Sequence, residues 1–137
     1  MIIREMKVED WQEMMNLWQT TEGIGLGRSD TIEGLEKFLN RNKGMSFVCE
    51  IDSKIVATIM CGHDGRRGFI YHLAVAKDFR SQGIGRQLVE KALQELKKQG
   101  IHKCHIFVMK DNEKGKNFWS KMGFQKRNDI EVFSIDI

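Results

Sequence analysis

The sequence contains no proline, only three cysteines and no long uninterrupted apolar stretch. Without proline, the chain has no proline-rich linker and no turn built on a cis-proline. Cys49, Cys61 and Cys104 are odd in number and far apart, so we expect reduced, buried thiols and neither a disulfide framework nor a zinc site. Arg4 and Glu5 interrupt the apolar residues at the N-terminus. This argues against a signal peptide or a membrane helix and predicts a cytoplasmic protein.

The length of 137 residues predicts a single domain over residues 1–137, large enough to bury a core without metal or disulfide support. The net charge of +3 is unevenly distributed. Residues 1–60 carry 7 basic and 10 acidic side chains, residues 77–103 carry 7 and 3, and residues 110–127 carry 6 and 2. The basic second half would attract an anionic ligand, although solvated helix faces would give the same pattern.

Hydrophobic periodicity predicts the element order β-α-α-β-β-β-α-β-α-β. The predicted elements cover residues 2–5, 8–20, 30–40, 47–51, 54–61, 69–76, 84–99, 101–109, 111–122 and 132–137, with a minor strand near Phe124. Asp30 with Glu33 resembles a capping box at the start of the second helix. Three consecutive strands predict an antiparallel meander, and a strand-helix-strand unit then predicts a parallel pair. The expected fold is α/β (α+β layered), a mixed central sheet flanked by helices.

A glycine-rich loop lies between a predicted strand and the third predicted helix. Its sequence is Arg80-Ser81-Gln82-Gly83-Ile84-Gly85-Arg86. Glycines let a ligand approach the backbone, and free amides at a helix start bind phosphate oxygens. An ordinary strand-to-helix turn is the alternative. No Lys-Ser or Lys-Thr pair follows a glycine, and Leu88 replaces the third glycine of a dinucleotide fingerprint, which argues against both of those phosphate-binding motifs.

Two motifs occur together in the second half of the chain. They are Arg80-x-x-Gly83-x-Gly85 after Leu73-Ala74-Val75, and Asn112 followed by Phe118, Trp119 and Gly123-Phe124. With the element order, they resemble the GNAT superfamily of N-acetyltransferases over essentially the whole chain. The sequence of residues 62–68, Gly-His-Asp-Gly-Arg-Arg-Gly, also resembles a small bacterial branch of that superfamily.

The resemblance implies a function and a cofactor site. The implied reaction is transfer of an acetyl group from acetyl-CoA to a primary amine by direct attack in a ternary complex, without a metal. Backbone groups of Leu73 and Val75 would pair with the pantetheine arm. The backbone amides of the loop would hold the pyrophosphate, namely those of Arg80, Ser81, Gln82, Gly83, Ile84, Gly85 and Arg86. Asn112 would bond the pantetheine region, and Phe118 would pack beside it.

The chain departs from the family pattern at the positions that move protons. Trp119 stands where the family has a thiol-protonating tyrosine, and an indole N–H has no usable acidity. Phe69 and Phe107 stand at the positions of the base glutamate, and neither can accept a proton. A CoA-binding sensor that has lost catalysis is therefore one alternative function.

Four other side chains are candidates for proton transfer: Tyr71, His72, Glu22 and Asp64. His72 titrates in the useful range, although a hydrogen-bonded structural role would also explain it. Strand alternation predicts that Tyr71 and His72 lie on opposite faces of the sheet.

The partners are less clearly marked than the cofactor. A small-molecule or peptide amine is the expected acceptor, and the acidic first 60 residues would favour a cation. A homodimer through the strand at residues 132–137 is plausible from its alternation. Trp11, Trp18 and the basic half allow a nucleic-acid-binding module as a second alternative, but aromatic and basic residues do not interleave in one segment.

Overall fold

A computed structural model describes all 137 residues and contains five strands and four α-helices. In chain order they are β1 (Ile2–Glu5), α1 (Trp11–Gln19), α2 (Ile32–Arg41), β2 (Phe47–Ile51), β3 (Lys54–His63), β4 (Gly68–Val75), α3 (Ile84–Lys98), β5 (Cys104–Ile106) and α4 (Glu113–Lys121). Single 3₁₀ turns cover Val8–Asp10, Arg28–Asp30 and Lys77–Phe79. No helix combines the length and the apolar composition that crossing a membrane requires.

The residues form two compact units, Met1–Phe107 and Val108–Ile137. The first unit contains all five strands with α1, α2 and α3, and the second contains α4.

The five strands form one sheet in the order β1-β2-β3-β4-β5. The first four pair antiparallel, and β5 pairs parallel with β4. Asp52 and Ser53, both at positive φ, make the tight turn between β2 and β3. Helix α3 supplies the crossover between the parallel strands. The predicted mixed sheet and α/β class are therefore confirmed.

Helices cover both faces of the sheet. On one face, Met14 and Trp18 of α1 and Leu35 of α2 belong to one buried cluster with Val48 of β2. Lys91 of α3 lies 5.0 Å from the ring centre of Phe47. Because neighbouring strand residues point to opposite faces, α3 packs on the other face. Its buried side chains are Ile84, Leu88, Val89, Ala92 and Leu96.

Two predicted strands are absent, and one is shorter than predicted. β5 spans only Cys104–Ile106 of the predicted residues 101–109. Neither the segment near Phe124 nor residues 132–137 forms a strand. The alternation at residues 132–137 marks a possible apolar face, but a strand also needs a neighbour that accepts its backbone hydrogen bonds, and no strand pairs with it. The edge through which we expected a dimer is therefore not formed.

The start of the second helix also differs from the prediction. Thr31 is the N-cap, and its hydroxyl accepts a hydrogen bond from the Gly34 amide at 3.0 Å. The predicted capping box of Asp30 and Glu33 is therefore wrong. Asp30 closes the preceding 3₁₀ turn instead, where its Oδ2 accepts from the Gly27 amide at 2.8 Å.

Candidate functional site

The glycine loop leaves β4 through a 3₁₀ turn and opens α3. Ser81 (φ +63°) and Gly83 (φ +81°) both have left-handed backbone conformations, and Gly83 is the N-cap of α3. The amides of Ile84, Gly85 and Arg86 form the first turn, where no preceding helical carbonyl can accept from them. Amides at a helix start, together with the positive end of the helix dipole, bind anions. The geometry therefore fits the predicted phosphate site.

The loop is open at its centre and fixed at its start. No atom lies within 4 Å of the position that a Gly83 Cβ would take, so a ligand can reach the backbone there. The Arg80 Nε donates to the Val75 carbonyl at 2.9 Å, which ties the loop to the end of β4. The Arg86 side chain is 62% exposed and lies 4.0 Å from Glu90. Both arginines are exposed to solvent, and of Arg80 only the Nε is engaged in the bond to Val75.

The edge of β4 next to this loop is open on the β5 side. The parallel ladder pairs Gly68 with Cys104 and ends where Ile70 pairs with Ile106. Leu73 and Val75 lie beyond its end. An extended ligand can add to an unpaired strand edge through backbone hydrogen bonds. The structure thus places the predicted pantetheine-binding residues beside the predicted pyrophosphate loop.

A bulge in β4 changes the direction of the candidate catalytic residues. Thr58 of β3 pairs with Ala74 and Met60 pairs with Tyr71, so β4 has one extra residue between these pairs. His72 sits in the bulge at φ +48°. The Tyr71 ring contacts Phe38 of α2 at 6.0 Å between centroids, and the His72 ring contacts α1. The prediction that Tyr71 and His72 lie on opposite faces is therefore wrong, because a bulge interrupts strand alternation.

His72 belongs to a hydrogen-bonded network that joins four elements. Its Nε2 lies 2.6 Å from the Asp30 Oδ1, and its ring centroid lies 4.7 Å from that of Trp18. The Trp18 Nε1 donates to the Thr58 Oγ1 at 2.9 Å, and that hydroxyl donates to the His72 carbonyl at 2.8 Å. The side chains of His72 and Asp30 are only 12% and 14% exposed. This pairing is a finding that the sequence analysis missed.

Four aromatic rings extend from α2 across β4 to the end of β5, and we call them the aromatic row: Phe38, Tyr71, Phe69 and Phe107. The centroid distances are 6.0 Å, 6.3 Å and 5.9 Å in that order. The two phenylalanines at the usual glutamate positions are therefore neighbours. Burial raises the pKa of Tyr71 above its ordinary value. Tyr71 consequently keeps its proton near neutral pH and does not serve as a base there.

The two remaining acidic candidates occupy exposed loops. Glu22 lies in the segment between α1 and α2 and is exposed. Asp64 lies in the turn between β3 and β4, where its Oδ1 accepts from the amides of Arg66 and Arg67 at 2.8 Å each. The bonds from Arg67 and Arg66 lower the pKa of Asp64. Asp64 therefore shapes the turn and stays ionised.

The three cysteines are free. Cys49 and Cys61 are buried as predicted, whereas Cys104 is half-buried. Burial raises the pKa of Cys61 and of Cys104 to about 12, and it also raises that of Cys49. Near neutral pH none of the three carries the negative charge that a nucleophilic thiolate needs.

In the second unit, the predicted family residues lie on and next to α4. The Asn112 Oδ1 accepts from the Gly115 amide at 2.9 Å and so caps the helix. Phe118 and Trp119 meet edge to face at 5.1 Å, and Trp119 meets Phe124 in the same way at 4.9 Å. Trp119 is thus the centre of a small aromatic cluster.

The sequence analysis missed the residues around His72 because their partners are distant in the chain. Asp30 and His72 are 42 residues apart, and Trp18 and Thr58 are 40 apart. The only sequence signal at Asp30 is a carboxylate just before a predicted helix. Helix capping explains that pattern more simply than a contact with a distant histidine does.

The fold is that of an α/β protein with a mixed sheet, in which an unpaired strand edge lies beside the start of a helix. Residues 11–124 match the sequence model of the Acetyltransferase (GNAT) family, and the chain belongs to this family of acetyltransferases. It is an acyltransferase by family.

Individual relatives agree with the family assignment. An acetyltransferase of Pectobacterium atrosepticum is 29% identical over 125 residues, covering 91% of this chain and 88% of that protein. The fold is similar to that of the PaiA N-acetyltransferase of Thermoplasma acidophilum in complex with coenzyme A, with a TM-score of 0.77 and 22% identity over 90% of this chain and 89% of that one. It is also similar to an aminoglycoside acetyltransferase from an uncultured soil metagenomic sample in complex with sisomicin, with a TM-score of 0.76 and 20% identity over 99% and 95% of the two chains.

Proposed function

We propose that this acetyltransferase moves the acetyl group of acetyl-CoA to a primary amine by direct attack in a ternary complex. The observation that carries the proposal is the start of α3, where left-handed Ser81 and Gly83 present first-turn amides beside the open edge of β4. The loop amides would hold the pyrophosphate. The edge at Leu73 and Val75 would hold the pantetheine arm, so that the thioester lies along β4.

The family resemblance assigns three residues of the second unit to the same cofactor. Asn112 would bond the pantetheine region through its amide nitrogen, since its oxygen caps α4. Phe118 and Trp119 would pack beside the pantetheine. The family match at residues 11–124 includes residues of both units, which supports our proposal that residues 1–137 act as one catalytic domain.

The reaction requires three proton movements. The ammonium form of the acceptor must lose a proton before its nitrogen attacks the thioester carbonyl carbon. A C–N bond then forms, the attacking nitrogen loses its second proton to solvent, the C–S bond breaks, and the departing thiolate takes up a proton. Of the candidate bases, we assign the first step to His72, because Tyr71 keeps its proton near neutral pH and Glu22 lies exposed in a loop. The thiolate takes its proton from solvent, since Trp119 is not an acid.

Direct attack is favoured over an acetylated-enzyme intermediate. An intermediate on sulfur would need a thiolate, but burial raises the pKa of Cys61 and of Cys104 to about 12. The sulfur atoms therefore remain protonated thiols at physiological pH and are poor acyl acceptors.

The acceptor is a cationic amine in this proposal. Residues 1–60 carry a net charge of −3, from 7 basic and 10 acidic side chains, which attracts a cation. An aminoglycoside is one such amine, because the soil acetyltransferase of the same fold is described in complex with sisomicin. A homodimer also remains our proposal, through a contact other than a strand at residues 132–137, and light scattering would measure it.

Isothermal titration is the experiment that tests the cofactor. The purified protein is titrated with acetyl-CoA and, separately, with a short single-stranded oligonucleotide at near-physiological salt. We expect binding of acetyl-CoA and none of the oligonucleotide. The reverse result would overturn the proposal in favour of a nucleic-acid-binding module.

An amine panel then tests catalysis by release of free CoA thiol. The panel contains sisomicin, spermidine, lysine amide and a peptide with a free N-terminus. Turnover of any of these amines supports an N-acetyltransferase. Acetyl-CoA binding with no turnover of any amine would favour the alternative of a CoA-binding sensor. The reason for that alternative is that the usual acid and base positions are occupied by Phe69, Phe107 and Trp119.

A further inference from the structure

One carboxylate of the loop between α1 and α2, that of Asp30, contacts the bulge of β4. The Asp30 Oδ1 lies 2.6 Å from the His72 Nε2. We propose that Asp30 is the positioning residue for His72, holding the hydrogen on Nε2 so that Nδ1 takes the proton from the acceptor amine. This inference rests on the proposed function, because it assigns His72 as the proton acceptor of that reaction.

Asp30 is itself held in place by bonds on three sides. Besides the bond to His72, its Oδ2 accepts from the Gly27 amide at 2.8 Å. Its main-chain carbonyl accepts from the Trp11 Nε1 at 2.8 Å. The Asp30 carboxylate is therefore anchored to its own loop, and the Asp30 main chain is anchored to α1. An anchored, largely buried carboxylate orients an imidazole more firmly than a mobile surface pair does.

His72 is also fixed from its other sides. Its carbonyl accepts from the Thr58 hydroxyl at 2.8 Å, and its ring lies against Trp18. Its φ of +48° is a conformation that non-glycine residues rarely adopt. Such backbone strain concentrates at functional sites. A His-Asp pair with a purely structural role could form on a regular strand, without this backbone strain.

The chemistry of the pair follows from Asp30, the charged side chain that contacts the His72 ring. Trp18 and Thr58, which also contact His72, do not titrate. The Asp30 carboxylate accepts a hydrogen from Nε2 and so selects the neutral form with its lone pair on Nδ1. When Nδ1 takes the amine proton, the same carboxylate stabilises the imidazolium that forms. The amine nitrogen is then free to attack the thioester.

The first test is the tautomer of His72, which requires neither cofactor nor acceptor. Two-bond ¹H–¹⁵N spectra of the labelled protein are recorded through a pH titration, with the His72 signals assigned by their loss in His72→Gln. We expect the Nε2–H form in the wild type. In Asp30→Asn, the amide donates to Nε2, and we expect the Nδ1–H form. An Nδ1–H tautomer in the wild type would overturn the proposal.

The second test is the pH profile of acetyl transfer to the panel amine that turns over. We expect His72→Gln to lower kcat by about 100-fold or more, the usual contribution of a positioned base. Asp30→Asn should lower kcat by about tenfold or more and change the pH profile of kcat. Adding Asp30→Asn to His72→Gln should cause no further loss of kcat, because Asp30 acts through His72.

Asp10 provides a matched control. It ends the 3₁₀ turn Val8–Asp10 as Asp30 ends Arg28–Asp30, and its Oδ2 accepts from the Lys7 amide at 2.9 Å. Its partner, however, is Arg4, at 2.8 Å. Asp10→Asn should lose stability without changing the His72 tautomer or the pH profile. Equal effects of the two variants on the profile would reduce Asp30 to a structural role.

These outcomes separate the inference from the proposed function. If Asp30→Asn does not fold, His72→Gln still tests the base, because glutamine keeps a donor for Asp30 but cannot take a proton. If His72 has the expected tautomer but no amine is acetylated, the proposed reaction is overturned, and the inference with it. If amines are acetylated and Asp30→Asn leaves the pH profile of kcat unchanged, the inference alone is overturned.

Discussion

Gly83 has a backbone conformation that the proposed pyrophosphate site requires. At φ +81° a side chain is strained, at a cost of roughly 1–2 kcal/mol. A β-branched residue would also fill the open space through which the proposed cofactor would reach the backbone. We expect Gly83→Val to weaken acetyl-CoA binding by at least about tenfold, equivalent to about 1.4 kcal/mol, in a protein that remains folded. Isothermal titration and circular dichroism measure the two effects.

Gly100 is the control for backbone strain. It lies just beyond the other end of α3 at φ +78°, and no atom lies within 4 Å of its Cβ position. Gly100→Val should therefore lose similar stability and keep the wild-type affinity for acetyl-CoA. Equal affinity in both variants would remove the glycine loop from the cofactor site.

The cysteines allow a prediction about pH. Burial raises the pKa of Cys61 and of Cys104 from 9.0 to about 12. Both thiols should therefore react slowly with an aromatic disulfide reagent at about pH 8 in the folded protein and rapidly in urea. Because the folded pKa is the higher one, this contribution to stability is complete below about pH 9 and declines as the pH rises from 9 towards 12.

Cys61→Ala isolates that contribution from other groups that titrate at high pH. As the pH rises above about 9, the free energy of unfolding of Cys61→Ala, measured in urea, should fall less steeply than that of the wild type. Rapid labelling of Cys61 in the folded protein at neutral pH would contradict the prediction and reopen the acetylated-enzyme route.

At the scale of elements, one hydroxyl connects α1, β3 and β4. Thr58 is fully buried, accepts from the Trp18 indole and donates to the His72 carbonyl. Thr58→Val keeps the shape but leaves a buried donor and a buried acceptor without partners. We expect a loss of about 2 kcal/mol or more in the free energy of unfolding, measured in urea.

Thr20→Val is the comparison for this change. The Thr20 hydroxyl bonds the Leu17 carbonyl at the exposed end of α1, where water can replace it. Its loss should change the free energy of unfolding by no more than about 0.5 kcal/mol. If Thr58→Val were equally mild, the link between α1 and β4 would contribute little to the fold.

The elements differ in how far local sequence determines them. The glycine loop and the strand-helix-strand crossover could be predicted, because Gly83, Gly85 and the period of α3 act over a few residues. The bulge at His72 could not, since it reflects pairing with β3 and contacts with Trp18. The strand predicted at residues 132–137 failed for the related reason that alternation describes one face of a strand but does not provide a neighbouring strand.

At the scale of the whole molecule, the uneven charge predicts how salt affects cofactor binding. Residues 77–103 carry 7 basic and 3 acidic side chains, a net charge of +4, and acetyl-CoA is a polyanion. Raising the salt concentration from about 0.1 M to about 1 M shortens the screening length from about 10 Å to about 3 Å. We expect the affinity for acetyl-CoA to fall at least about threefold, whereas uncharged S-acetylpantetheine should bind with little dependence on salt.

Two variants at opposite ends of α3 test which basic side chain contributes to acetyl-CoA binding. Arg86 begins the helix, and its side chain is 62% exposed, while Lys98 ends the helix and is 70% exposed. They are separated by twelve residues, or about 18 Å along the axis, which exceeds the screening length at physiological salt. Arg86→Gln should therefore weaken acetyl-CoA binding and flatten its salt dependence, and Lys98→Gln should do neither. Equal effects of the two substitutions would mean that the cofactor responds to total charge and has no fixed position at the start of α3.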